Sequence, residues 1–119
     1  MDIHLILAIF HLFLVVPLFL YVGFMRAATP EYVFQGLLAL GVILFLYHGY
    51  KAYVRFIASS PRLWVNVIHF ALIAPLLMYI GYNEKNTPRP AYELLMIAAF
   101  GAGGYHIYNL IHNLNNVAE

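Results

Sequence analysis

The sequence contains no cysteine. Disulfide staples, thiolate metal ligands and cysteine nucleophiles are therefore excluded, and the redox compartment cannot be read. Charge is nearly as scarce: 9% of residues are charged and 64% hydrophobic, whereas a soluble globular domain is about a quarter charged. The formal net charge of +1 leaves no basic face of the kind nucleic acid requires. No glycine-rich phosphate loop, HExxH pair or TVGYG filter occurs. The carboxylates fall in turns, tails and span ends, so the paired acids of a hydrolase are missing and a hydrolase is not expected, while other enzymatic activity is left open. The N-terminus MDIHLILAIF has no basic region before its apolar run, and no small-residue cleavage site follows. The first apolar segment is thus expected to be retained as a span.

What is present is apolar sequence in long runs. A chain of 119 residues has room for one domain, and so little polar surface could not cover this much apolar side chain in water. The expected class is an all-α, multi-pass integral membrane protein in a lipid bilayer. Ile3 to Met25 is long enough to cross a hydrocarbon core of about 30 Å as a helix. Further spans are expected from about Glu31 to Phe56, Arg62 to Tyr82 and Ala91 to Asn113, with the tail NLNNVAE fraying out. In the intervening turns, Thr29-Pro30 and Thr87-Pro88 read as N-cap and first helical residue. Tyr32, Tyr53, Tyr82 and Tyr92 lie near span ends, where aromatic belts belong.

The chain also contains one stretch twice. HLFLVVPLFLYVGF from His11 to Phe24 matches HFALIAPLLMYIGY from His69 to Tyr82 at an offset of fifty-eight residues. Carried on without a gap, the offset pairs Thr29-Pro30 with Thr87-Pro88, and Tyr47-His48-x-Tyr50 with Tyr105-His106-x-Tyr108. Between residues 9–56 and 67–114, twelve of forty-eight pairs are identical. An internal duplication is the natural reading. The expected architecture is a four-transmembrane-helix up-down bundle built from two parallel two-helix repeats. Lys and Arg divide evenly between the two sides, so the positive-inside rule is silent. The placement of Glu31, Glu84 and Glu93 away from the termini puts the termini in the cytoplasm.

Each span carries one histidine at a matched position. His11 lies eighteen residues before Thr29 and His48 nineteen after it; His69 and His106 stand in the same relation to Thr87. At about 1.5 Å per helical residue all four share one level. Ionisable groups inside a span are costly and face the protein interior or a cavity. Sevenfold spacing puts Gly41, His48 and Arg55 on one stripe, Arg62 and His69 on another with Asn66 at its edge, and His106 with Asn113 on a third. Gly101 to Gly104, GAGG, precede Tyr105-His106 and suit close helix packing or a flat bulky group. Pro17 and Pro75, inside spans, each remove a backbone donor and should distort their helices.

Three functions are consistent with this pattern. The first is a b-type membrane cytochrome for electron transfer, with haem b ligated by two of His11, His48, His69 and His106, and propionates met by Arg55 and Arg62. The second is proton or small-ion passage through a histidine layer, with a transition-metal site on the same four imidazoles as a variant. The third is a cofactor-free structural subunit of a homo-oligomer or larger membrane complex. No nucleic-acid partner is expected.

Overall fold

The computed structural model describes residues 3–118, which are helical apart from short turns, with no strand among them. Six α-helices occur: α1 Ile3–Phe10, α2 Val16–Met25, α3 Glu31–Ile57, α4 Leu63–Ile68, α5 Ala74–Asn83 and α6 Arg89–Ala118. A π-helical turn, His11–Val15, joins α1 to α2, and a second, His69–Ile73, joins α4 to α5. With short 3₁₀ turns at Arg26–Ala28 and Glu84–Asn86, these pieces form four helices long and apolar enough to cross a membrane: Ile3–Ala28, Glu31–Ile57, Leu63–Asn86 and Arg89–Asn115. Phe13, Phe24, Leu46, Leu72, Ile97 and Phe100 are exposed along them, the outward apolar surface that a hydrocarbon environment calls for. The tail does not fray at Asn113: α6 continues to Ala118.

The chain forms two compact units, residues 26–91 and residues 1–25 with 92–119. Each takes one span from either half of the sequence match. In the unit of residues 26–91, α3 packs along α4 and α5, with Phe34, Leu37, Ala74, Leu77 and Ile80 among its buried apolar side chains. Glycine sets the closeness of that crossing. A Cβ on Gly81 would lie 2.5 Å from Leu38 N and 2.7 Å from Phe34 O, so α3 and α5 meet backbone to backbone. Gly41 plays the same part in the reverse direction, against Ala74 O and Met78 N. In the other unit a Cβ on Gly23 would run into Met96, and the Gly23 and Met96 positions match Gly81 and Leu38 at the fifty-eight-residue offset.

The turns depart from expectation in an instructive way. Helix α3 starts at Glu31 with Pro30 as its N-cap residue, and no side chain bonds the cap. Thr29 is buried and its hydroxyl has no partner. Thr87 points backwards: its hydroxyl donates to Glu84 O at 2.6 Å, with Ile80 O at 3.2 Å. It thus adds a second donor to carbonyls at the end of the preceding helix, which already accept the backbone N–H groups of Glu84 and Thr87, rather than capping the next helix. Tyr92, expected in an interfacial belt, is buried instead, while Tyr32, Tyr53 and Tyr82 are exposed as expected. The turn after α3 closes with Ser60 N–H donating to Arg55 O (2.9 Å) and Ser59 N–H to Phe56 O (3.2 Å), the paired bonds of a Schellman motif. Its left-handed residue is Ser59, φ 54°, where glycine is the usual occupant.

Two contrasts test this packing. Gly81→Ala should lower stability by about 1–3 kcal/mol, the usual cost of overpacking, whereas Gly101, which meets nothing within 4 Å, should accept alanine without loss. Ser59→Gly should stabilise by about 1 kcal/mol by removing the strain of a left-handed non-glycine residue. Unfolding midpoints in detergent read all three. A Gly81→Ala protein as stable as the parent would mean that the backbones do not approach as described.

Candidate functional site

The four histidines fall into two pairs, one in each unit. His48 on α3 stacks on His69 at the start of the second π turn, ring centres 4.5 Å apart and planes 20° from parallel. His11 at the start of the first π turn stacks on His106 of α6, at 4.2 Å and 19°. All four are half-buried. The stripe Gly41–His48–Arg55 is the face that α3 turns towards the third span: Gly41 meets Ala74 and Met78, Gly49 meets the Phe70 ring, and His48 meets His69.

The π turns explain how His11 and His69 are held. Pro17 and Pro75 have no N–H, so Phe13 O and Ala71 O lose their α-helical donors. The residues just before widen to compensate: Val16 N–H bonds His11 O, and Ala74 N–H bonds His69 O, each five residues back rather than four. Such single-turn π insertions are rare and frequent at functional sites. Each histidine at the start of its π turn then anchors its ring on the preceding helix. Nδ1 of His11 lies 2.7 Å from Leu7 O, and Nδ1 of His69 lies 2.7 Å from Val65 O. A carbonyl only accepts, so in both residues Nδ1 carries the proton and neutral Nε2 presents a lone pair. Tyr47 and Tyr105 sit edge-on to the neighbouring His48 and His106 rings, at 5.0 and 5.2 Å between centres.

Arg55 and Asn66 complete the second pair. Arg55 donates to Asn66 Oδ1 at 2.6 Å and to Arg62 O at 3.3 Å. Asn66 is almost fully buried, and its amide nitrogen lies 2.9 Å from His48 Nδ1. The sequence pattern put Arg55 and His48 on one stripe but left Asn66 at the edge of another. The signal that singles Asn66 out is its place as the one amide among the apolar residues from Leu63 to Tyr82. Arg62 lies in the turn ahead of α4 with an exposed side chain, and its N–H donates to Ser60 Oγ. Of the GAGG glycines, Gly103 is buried against Val16, while Gly101 and Gly104 meet no atom within 4 Å.

This geometry can be set against the groups the sequence suggests. An iron held between two imidazoles through bonds of about 2 Å puts their nitrogens about 4 Å apart and their ring centres roughly 6 Å apart, edge towards edge. The stacked pairs, at 4.2 and 4.5 Å, present faces to one another. The two members of a pair, placed this way, do not fit as the opposite axial ligands of one haem. Within either unit, among the described residues, no three histidine or carboxylate side chains gather into one metal-binding group.

Comparison with protein-family models, curated proteins and solved structures finds no match to this chain. Function is therefore argued from the residues alone.

If stacking is a real contact, replacing both members of a pair should cost less than the sum of the single replacements. A double-mutant cycle on His48→Ala and His69→Ala should return a coupling of about 0.5–1.5 kcal/mol, as for other stacked ring pairs, and so should His11→Ala with His106→Ala. Additive single and double effects in detergent unfolding would contradict the pairing.

Proposed function

We propose that the protein is a multi-pass membrane protein, built of two parallel copies of a two-span hairpin (residues 9–56 and 67–114), that takes up and hands on protons at its histidine pairs. The observation that carries this reading is the chemistry of the His48–His69 pair. His69 offers a lone pair at Nε2, since its Nδ1–H is held by Val65 O. His48 has Nδ1 2.9 Å from the Asn66 amide nitrogen, an arrangement that suits a neutral ring with its N–H at Nε2. A proton-accepting nitrogen and an N–H hydrogen-bond donor thus sit in one stacked pair. Proton uptake at His69 Nε2 makes an imidazolium whose Nδ1–H stays on its carbonyl, and release from the same Nε2 restores the neutral ring. Two charged rings at such spacing would repel by roughly 4 kcal/mol at an effective dielectric constant of 20, so a pair carries one added proton at a time.

A second reading, haem b binding, is favoured by a separate observation. The Nδ1–carbonyl bonds of His11 and His69 leave Nε2 directed away from the backbone, as in histidine ligands oriented by a second hydrogen bond. Here His11 or His69 would hold the group, Arg55 and Arg62 would be the cations for its propionates in the unit of His69, and the haem would supply one-electron chemistry.

Purified protein in liposomes separates the two. The proton reading expects colourless protein and pH-gradient dissipation above that of protein-free vesicles, reduced towards that baseline by His69→Phe, which keeps an aromatic ring but cannot hold a proton. A Soret band would favour the haem reading. Baseline flux from the parent protein would contradict the proton reading.

A further inference from the structure

We infer that Arg55 and Asn66 are positioning residues that fix the proton of His48 on Nε2, and that this device belongs to one histidine pair and not to the other. It starts from what each group can do. A guanidinium only donates, so the Asn66 atom 2.6 Å from Arg55 is the amide oxygen. That assignment turns the Asn66 NH₂ towards His48 Nδ1, at 2.9 Å. A protonated Nδ1 would face that NH₂ donor to donor, at a distance where each needs an acceptor. Nδ1 therefore holds the lone pair, and the proton of the neutral ring sits on Nε2. Arg55 thereby acts on His48 without touching it, through an amide that has only one stable orientation.

The arrangement is held in place from several sides. Arg55 is the C3 residue of the Schellman turn, its carbonyl taken by Ser60 N–H, and its guanidinium also donates to Arg62 O across that turn. Asn66 is 3% exposed, so water has little access to replace either of its bonds, and an unmade bond there would cost about 1–3 kcal/mol.

At the fifty-eight-residue offset, Asn66 corresponds to Ala8 and Arg55 to Asn113. Ala8 is fully buried and has no hydrogen-bonding side chain. The other features of the pair are kept: the stacked rings, the π turn and the Nδ1–carbonyl bond recur at His11 and His106. The amide relay alone is confined to the unit of residues 26–91. The His48–His69 pair is consequently fixed as one N–H donor beside one acceptor, whereas the position matched to Asn66 in the other unit holds no amide. The two pairs are chemically different sites.

The assignment of tautomer is independent of the proton reading, although its use in proton transfer rests on that reading. It is tested by ¹⁵N NMR of histidine-labelled protein in lipid, with His48 assigned by its loss in His48→Phe. In the parent protein His48 should show an unprotonated Nδ1 and a protonated Nε2. Asn66→Asp should reverse this, because a carboxylate accepts from both Arg55 and His48 and so calls the proton to Nδ1. Arg55→Lys, still a donor, should keep the parent pattern, while Arg55→Met should release it into a mixture. A protonated Nδ1 in the parent, or a His48 spectrum unmoved by Asn66→Asp, would overturn the inference; the first needs no variant to fold. The expected NMR pattern with baseline proton flux would instead remove the proton reading and leave the lock standing.

Discussion

A proline inside a helix leaves a carbonyl without its donor, and where water is scarce the chain must redistribute its own hydrogen bonds. At Pro17 and Pro75 the redistribution takes the form of a π turn that begins at a histidine, with the ring tied back to the carbonyl four residues earlier. Much else follows from that constraint. The tie fixes the tautomer of His11 and His69, the wider turn aims their rings across to the neighbouring helix, and the partner helix answers with a second imidazole in each unit. Close backbone contact through Gly81 and Gly41 holds the two helices near enough for rings to stack in the unit of residues 26–91.

The two pairs share a frame and differ in their surroundings. Shared are the stacked rings, the π turns and the glycine approach at matched positions. What differs is polar: Asn66 and Arg55 in one unit against Ala8 and Asn113 in the other. A frame that carries several unusual features, present in both units with different hydrogen bonding, is easier to relate to chemistry at the imidazoles than to packing alone. Leucine would pack such positions without requiring a π turn or a buried amide.

The spans and their turns were legible in the sequence because apolar runs and Thr-Pro pairs mark them directly. The matched levels of His48 with His69, and of His11 with His106, followed from counting residues, and the stripe of Gly41, His48 and Arg55 from helical periodicity. Four things were not legible. A π turn inserts no residue type of its own, so the wider bonding at His11 and His69 leaves no trace in a 3.6-residue pattern, beyond the prolines that provoke it. The backward bond of Thr87 replaced the expected cap because the 3₁₀ turn brings the carbonyls of Ile80 and Glu84 within reach of its hydroxyl. Asn66 joined the site because a tight Schellman turn folds it back beside Arg55, a contact set by three-dimensional closure. The helical tail beyond Asn113 was missed because asparagine is a weak helix former, and local propensity was outweighed by continuation of a long helix.

The pairing of histidines can be read directly because the chain has no cysteine of its own. With cysteines introduced as His48→Cys plus His69→Cys, and separately as His11→Cys plus His106→Cys, mild oxidation in the membrane should give an intramolecular disulfide in each double variant. Each single variant should stay free of that link. Double variants that remain reduced, or that couple only between separate chains, would contradict the paired arrangement on which the proposed chemistry depends.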